Sequence, residues 1–377
     1  MWNYRYLTRI DFRVIPLLLG LMLISLLVIS SHTAHHNELQ AESFFTPLVR
    51  SQLQWFFIGS LLYLFMAGFD YNKLREWTWI FYGIMILALI GLFFTDGIQR
   101  VQRWYRIPLI GISIQPSEYA KLIVVIALSW FLERRASKSS SLSTAFMGGI
   151  IVGIPFILIL KQPDLGTALV LFPITLVMFY FGDLHPLVVK GLTIAGGIAL
   201  VFIALIFLGV LPHEELRPYA TLFLKNYQFD RLDPNTHHQK TAATAIALGG
   251  LTGTGWRKSE YAGGGWLPTP YTDSVFPAFG EEFGFIGLLL VMVIFYALIY
   301  FSFQVTAVAK DHFGRLLSAG ITVYLAMHIL VNIGMMSGFL PITGVPLVLI
   351  TYGGSSVLST MAALGILQSI YSRRFMF

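Results

Sequence analysis

Residues 272–303 read TDSVFPAFGEEFGFIGLLLVMVIFYALIYFSF and place three carboxylates, Asp273, Glu281 and Glu282, at the start of a long apolar run. The run covers residues 275–305, and as one helix it would be about 46 Å long, more than the ~30 Å hydrocarbon core of a membrane. We therefore expect its first turns to project outward, with Asp273 above the membrane boundary and the two glutamates near it. Acidic side chains in such a position are rare and indicate a functional site.

The composition indicates an integral membrane protein. Of the 377 residues, 56% are hydrophobic and only 12% are charged, and the mean hydropathy is +0.72. A soluble domain is not this apolar. We expect an all-α bundle of about ten transmembrane helices that forms a single polytopic domain over residues 1–377. The apolar runs that predict these helices are about 14–31, 52–69, 77–94, 118–133, 145–160, 165–181, 186–211, 275–305, 316–339 and 344–371.

The distribution of charge predicts the orientation. Basic residues are more frequent in the short connections on the side of the amino terminus than in those on the other side. This asymmetry predicts a multi-pass membrane protein with both termini in the cytoplasm. The net charge of +6 is then an orientation signal, and we expect no nucleic-acid partner. The chain contains no cysteine, which excludes disulfides.

One long polar loop, residues 212–274, separates helices 7 and 8 and should be extracytoplasmic. Residues 239–251 predict a short helix within it, followed by a glycine-rich stretch with tryptophans. Glycine allows sharp turns and tryptophan prefers the headgroup level, so we expect this loop to fold against the membrane surface. A flexible linker is the alternative.

The acids around the start of the eighth run have more than one interpretation. Asp273 stands just before the helix, so it is either an N-cap or a functional carboxylate, and its position in the sequence favours neither. Glu281 and Glu282 are neighbours and point about 100° apart on a helix, so they cannot share one partner. We expect one of the two to face the protein interior.

Two further motifs place charged residues near the predicted membrane boundary. Glu118 and Lys121 lie three residues apart on one helix face, which predicts a self-neutralising pair or part of a site. Arg100, Arg103 and Arg106 lie in an outside loop, where arginine is disfavoured. Their guanidinium groups predict an anionic ligand that carries phosphate, or alternatively contact with lipid headgroups in general.

Asp164 and residues 341–356 complete the candidate list. Asp164 follows a span and either pairs with Lys161 or caps the sixth helix. Residues 341–356 contain a Pro-Gly break and a Gly-Gly-Ser-Ser tract, for which a structural role in a broken or closely packed helix is favoured.

The histidines do not predict a metal site. The adjacent pairs His35–His36 and His237–His238 have no third ligand at a suitable spacing, and His328 is expected to be a hydrogen-bonded core residue. We therefore expect no structural metal.

Taken in order, these motifs resemble the SEDS family of shape, elongation, division and sporulation proteins, which includes RodA and FtsW. Each motif alone is weak, but together they extend over nearly the whole chain, and the short amino-terminal tail is more like that of RodA. The motifs that carry the resemblance are Arg103-Trp104, 115–118 with Lys121, 162–167, 249–256, Leu267-Pro268, Thr272-Asp273, 280–287 and 341–356. The chain departs from the family pattern at Tyr271, Thr254 and Val348, among other positions.

The resemblance implies a peptidoglycan glycosyltransferase of the cytoplasmic (inner) membrane. Such an enzyme is a hexosyltransferase that polymerises lipid II at the outer face of that membrane for cell-wall elongation and cell shape. The resemblance also implies Asp273 as the catalytic residue, and a carboxylate there can act as general base toward a sugar hydroxyl. The pyrophosphate that leaves needs positive charge, for which Arg103, Lys121, Arg100 or a divalent cation such as Mg²⁺ or Mn²⁺ are candidates. No other cofactor is expected.

The remaining candidates, Glu118, Asp164, Glu281 and Glu282, are expected to support the site or bind substrate. The resemblance further implies lipid II, lipid-linked glycan, membrane lipids, a class B penicillin-binding protein (a transpeptidase) and the elongation machinery as partners. The alternative functions are a division-specific polymerase of the FtsW type, a lipid-linked precursor transporter (flippase), and a non-catalytic scaffold.

Overall fold

The computed structural model describes residues 2–34, 43–95, 103–107, 112–222 and 226–375. These residues are mainly helical, with one short β-hairpin. The helices are α1 Val14–Ala34, α2 Pro47–Gly68, α3 Asn72–Gly91, α4 Pro116–Arg134, α5 Leu142–Lys161, α6 Leu165–Phe181, α7 Pro186–Phe207, α8 His213–Ala220, α9 Asn226–Phe229, α10 His237–Gly249, α11 Val275–Val308, α12 His312–Met336 and α13 Gly354–Ser372. Strands β1 Tyr105–Ile107 and β2 Ile112–Ile114 pair antiparallel, and short 3₁₀ turns are Tyr4–Arg9, Leu92–Phe94, Ala136–Lys138 and Asp230–Leu232.

A helix lies at each of the ten apolar runs, which confirms a helical multi-span fold. Among the described residues, six helices are long and apolar enough to cross a membrane. They are Val14–Thr33, Asn72–Phe94, Leu142–Lys161, Pro186–Phe207, Val275–Val308 and His312–Met336. The total of ten spans and the single-domain boundary stay predictions.

The eighth run is broken at Gly284 and does not form one continuous helix. Gly284 has φ +63°, and a Cβ there would lie 2.4 Å from the Gly253 nitrogen. Across the break, the amides of Phe285 and Ile286 donate to the carbonyls of Gly250 and Leu251 at 2.9 and 3.1 Å. The loop after α10 therefore supplies acceptors that an unbroken helix would find within itself.

The tenth run is only partly helical, because α13 begins at Gly354 rather than near residue 344. Residues 341–353, called segment 341–353 below, have no helix or strand. Helix α13 packs against α2, and α12 packs against α4, α6 and α11. Segment 341–353 is thus held inside the bundle at the end of α12.

Helix α10 lies directly on the first part of α11. Its last residue, Gly249, is so close that a Cβ would lie 2.0 Å from the Gly280 carbonyl oxygen. Ala242 and Ala245 of α10 are fully buried. This contact fixes the long loop on α11 just below Asp273.

We expect Gly249→Ala to destabilise the protein, because overpacking against backbone forces the two helices apart at a cost of about 1–3 kcal/mol. The control is Gly149→Ala in α5, where the added methyl group meets nothing within 4 Å. Thermal unfolding of the purified protein in detergent should show a lower melting temperature for the first variant only. Equal melting temperatures would contradict the close contact.

Candidate active site

A cavity of about 1210 Å³ opens at one end of the bundle and is called the main cavity. Four parts of the chain that are distant in sequence form its polar wall: the approach to α4, the start of α6, the long loop and segment 341–353. The polar and charged residues that line it include Arg103, Gln115, Glu118, Asp164, Asp230, Arg231, His238, Thr272, Asp273, Thr343, Thr351, Tyr352 and Ser355. A cavity of this size with converging charged groups is a candidate active site.

Asp273 is partly buried and faces the main cavity, beside Gly344. The N-cap interpretation is wrong, since Ser274 occupies the cap position of α11. No side chain among the described residues donates a hydrogen bond to the Asp273 carboxylate. Burial raises its pKa, the nearby His238, Arg231 and Arg103 lower it, and Asp164 raises it.

The backbone that presents Asp273 is held at three consecutive carbonyls. The Tyr271 carbonyl accepts from the Tyr352 amide at 2.9 Å, and the Thr272 carbonyl accepts from the Thr351 hydroxyl at 3.1 Å. The Asp273 carbonyl accepts from Asn332 Nδ2 at 3.3 Å, and the same nitrogen donates to the Val345 carbonyl at 2.8 Å. Segment 341–353 and α12 therefore set the position of the catalytic candidate. The broken helix predicted for this motif is confirmed, and the segment also lines the cavity.

Three cationic or titratable groups surround the carboxylate. Arg103 is anchored by donating to the carbonyls of Gln162, at 3.1 Å, and of Pro163. Arg231 donates to the Thr343 carbonyl at 3.2 Å. His238 lies 2.6 Å from the Ser274 hydroxyl, and burial lowers its pKa while Asp273 partly offsets that shift.

Sequence reasoning missed Arg231 and His238. The histidine pair was tested only for metal-ligand spacing, and Arg231 is one of several basic residues in the loop. The available signal was that both residues lie in the same polar loop as Asp273, just before the predicted helix 239–251.

Glu118 and Lys121 form the expected ion pair at 2.8 Å, and both are buried. Lys121 Nζ also lies 2.7 Å from His328 Nε2 and 5.5 Å from the centre of the Tyr324 ring. Glu118 lines the main cavity whereas Lys121, which is fully buried, stands behind it. Direct contact of Lys121 with a pyrophosphate does not fit this geometry. His328 is a hydrogen-bonded core residue, as expected.

Asp164 caps α6 by accepting from the Thr167 amide at 3.3 Å, so the capping alternative describes it rather than pairing with Lys161. Its other oxygen accepts from the Ser117 hydroxyl at 2.8 Å and from Gln115 Nε2 at 3.1 Å. The carboxylate thereby joins the start of α6 to the start of α4 at the cavity wall.

Glu281 and Glu282 do not line the main cavity. We expected one of the two to face the protein interior, and both are buried there. Glu281 accepts from the amides of Tyr261 and Ala262, both at 2.8 Å. Glu282 accepts from the Arg257 amide at 3.1 Å and from the Ser31 hydroxyl. As expected, they have different partners. Together they hold the glycine-rich loop against α11.

Some sequence predictions fall outside the described residues, namely those on Arg100 and on the pair His35–His36. Within the part of the chain that the structure describes, no group of three or more acidic or histidine side chains is placed to hold a metal ion.

Comparison with known proteins identifies the family. The model of the FtsW, RodA and SpoVE group, described as cell cycle proteins, matches residues 12–374. The chain belongs to this family. MrdB, a peptidoglycan glycosyltransferase of Escherichia coli strain K12, is 30% identical over 323 residues, which cover 85% of this chain and 84% of MrdB. Stage V sporulation protein E of Bacillus subtilis strain 168 is 31% identical over 372 residues, covering 96% of this chain and 98% of that protein.

Solved structures share the fold of this FtsW, RodA and SpoVE member over almost its full length. A chain of a peptidoglycan synthase complex, studied for its coordination of polymerisation and crosslinking, aligns with a TM-score of 0.76 at 23% identity, covering 98% of this chain and 99% of that one. The rod shape-determining protein RodA of Thermus thermophilus aligns with a TM-score of 0.70 at 22% identity, covering 98% of each chain. The chain is thus a multi-pass membrane protein.

The departures from the family motifs fit their surroundings. Tyr271 packs edge-on against Tyr352 with ring centres 6.3 Å apart. The Thr254 amide and hydroxyl both donate to the Glu281 carbonyl, at 2.9 and 3.1 Å. Val348 is buried.

We expect Glu281→Ala to lower thermal stability, because one buried and one partly buried amide lose a charged acceptor, and such hydrogen bonds contribute about 1.5–3 kcal/mol each. The control Glu260→Ala removes an exposed carboxylate from the same loop. Melting temperatures of both variants in detergent test the loop-holding role. A Glu281→Ala protein as stable as the control would contradict it.

Proposed function

We propose that this chain polymerises lipid II into glycan strands at the outer face of the cytoplasmic membrane, with Asp273 as the general base. The observation that carries the proposal is a partly buried carboxylate on a fixed backbone, facing a large cavity that also contains Arg103 and Arg231. Relatives that match over most of their length are named peptidoglycan glycosyltransferases, and this chain is a glycosyltransferase of the same family.

The proposed reaction forms one glycosidic bond and breaks one sugar–phosphate bond. A hydroxyl oxygen of the acceptor sugar attacks the anomeric carbon of the donor, and its proton passes to Asp273. The lipid pyrophosphate leaves with the electron pair of the broken bond. It needs positive charge rather than a proton, because a pyrophosphate is already a stable anion.

The environment of Asp273 suits this role. Burial raises the pKa of the carboxyl, which makes the carboxylate a stronger base. The nearby His238, Arg231 and Arg103 offset part of this rise in pKa. The same arginines line the cavity where the leaving phosphates would bind, and planar guanidinium groups match phosphate oxygens well.

A divalent cation would bind through few protein ligands. Asp273 and Asp164 are close enough to interact electrostatically and both line the cavity. This suits Mg²⁺ or Mn²⁺, which often bind one or two carboxylates and complete their coordination with substrate phosphates and water. Such an ion would neutralise charge on the pyrophosphate when bound.

Glu118 has a supporting role at the wall of the main cavity. Its Oε1 accepts from Lys121, whereas Oε2 is buried and has no hydrogen-bond partner among the described residues. Because Oε2 has almost no accessible surface, we propose that Glu118 supports the wall of the main cavity through its ion pair with Lys121 rather than by contacting substrate.

The proposal includes a cellular setting. A class B penicillin-binding protein is the proposed partner, supported by the shared fold with a chain of a peptidoglycan synthase complex. The basic residues support cytoplasmic termini, and membrane lipids and the elongation machinery are the remaining proposed partners. A division role is the second candidate, because FtsW of Trichlorobacter lovleyi is 29% identical, close to the 30% of MrdB.

We expect Asp273→Asn to lower polymer formation at least about 100-fold, since removing a general base commonly costs that much. Purified protein, with its penicillin-binding partner, would be given lipid II and the glycan products sized. Asp233→Asn is the matched control, because it changes an acid of the same loop that does not line the main cavity. If Asp273→Asn formed polymer at the parent rate, this result would contradict the role of Asp273 as general base.

The pH profile tests the electrostatics. The base form of Asp273 is lost as pH falls through its pKa, so the raised pKa places the acidic limb of kcat/KM above the range of an ordinary aspartate. Arg231→Gln removes a cation that lowers this pKa, so its limb should move to higher pH. Lys240→Gln, an exposed change in α10, should leave the limb in place. A limb that moves down or stays fixed in Arg231→Gln contradicts the assignment.

A further inference from the structure

A buried chain of polar contacts runs beneath the main cavity from Glu118 to segment 341–353. Lys121 Nζ contacts Glu118 Oε1 at 2.8 Å and His328 Nε2 at 2.7 Å. On the other side of the ring, His328 Nδ1 lies 3.2 Å from the Pro346 carbonyl oxygen. His328 is 1% exposed, and its ring stands edge-on to Tyr324 with centres 4.8 Å apart.

The geometry fixes the tautomer of His328. A carbonyl oxygen only accepts, so Nδ1 must carry the proton and donate to Pro346. Nε2 of the neutral ring is then an acceptor, and the Lys121 ammonium donates to it. One side chain therefore satisfies two partners that belong to different walls of the cavity.

Each end of this chain leads to a group that faces the cavity. Glu118 lines it directly, and Lys121 is the partner of its Oε1. Pro346 belongs to segment 341–353, whose residues Thr351 and Tyr352 hold the carbonyls of Thr272 and Tyr271 beside Asp273. His328 thus connects Lys121, which pairs with Glu118, to segment 341–353, which holds the backbone of Asp273.

We propose that His328 is a positioning residue that couples the Glu118–Lys121 pair to segment 341–353 and so fixes the Glu118 carboxylate relative to Asp273. It touches no substrate in this role and acts through Lys121 and the Pro346 carbonyl. The proposal rests on the proposed function, because both carboxylates face the same reaction.

The first test compares three variants of the full-length protein in the lipid II polymerisation assay. His328→Leu should lower kcat about 10- to 100-fold with little change in KM, because displacing catalytic groups costs rate rather than uniform binding. His328→Gln should recover most of that loss, since its amide has both a donor for Pro346 and an acceptor for Lys121. His328→Asn has the same chemistry but is one methylene shorter, so it should recover less.

Thr322→Val is the matched control. Thr322 is buried in the same helix, and among the described residues its hydroxyl bonds only to the Ser318 carbonyl one turn back, at 2.8 Å. It should keep the parent kcat. Melting temperatures of all variants are measured alongside, so that the kinetic comparison uses folded protein.

A double variant separates positioning from general stabilisation. If His328 acts through Lys121, then Lys121→Met with His328→Leu should fall no further than the worse single variant, whereas independent losses would multiply. Multiplying losses, or equal activity of the Gln, Asn and Leu variants at the parent level, would overturn the positioning role.

The parent and Asp273→Asn are run in the same assay to keep the two proposals distinct. A parent that forms no polymer, or an active Asp273→Asn protein, would count against the proposed function. An active parent with an inactive Asp273→Asn variant and a fully active His328→Leu variant would overturn only the role of His328.

Discussion

The site depends on three hydrogen bonds that fix the backbone before α11. The carbonyls of Tyr271, Thr272 and Asp273 cannot join a helix or sheet, and buried carbonyls without donors are costly. Their donors come from Tyr352, Thr351 and Asn332, about 60 to 80 residues further along the chain. The Asp273 side chain can then face the cavity without spending its oxygens on capping the helix. Segment 341–353 can be irregular inside the bundle because it supplies hydrogen-bond donors to the irregular backbone of residues 271–273.

The break at Gly284 also helps to fix the site, because it anchors the long loop to α11. It turns the eighth run into two helical pieces, and the loop after α10 hydrogen-bonds to the backbone on both sides of the break. Glu281 and Glu282 then hold that loop by its amides and by Ser31 of α1. Glu281 and Glu282 therefore anchor the long loop, which also contains His238 and Arg231, to α11. The hydrogen bonds from these amides and from Ser31 offset part of the cost of removing the two carboxylates from water.

The sequence predicts features that depend on neighbours along the chain. Ten apolar runs mark the ten long apolar helices that the structure describes, and the three-residue spacing of Glu118 and Lys121 predicts their pairing. Features that depend on distant residues could not be predicted this way. Asn332 reaches Asp273 across 59 positions, and His238 becomes part of the site only because α10 folds back onto α11. Gly284 was visible as a glycine in an apolar run, but only the fold shows that the backbone of another loop occupies the break.

The two opposing influences on Asp273 have a consequence for the proposed reaction. Burial raises the pKa of the carboxyl, while Arg231 and Arg103 lower it. A pyrophosphate bound to those arginines brings negative charge into the same cavity and offsets part of their field. The carboxylate then becomes a stronger base when the donor is in place and a weaker one when the cavity is empty. The same cations would thus keep Asp273 ionised before substrate binds and stabilise the leaving group as the glycosidic bond forms.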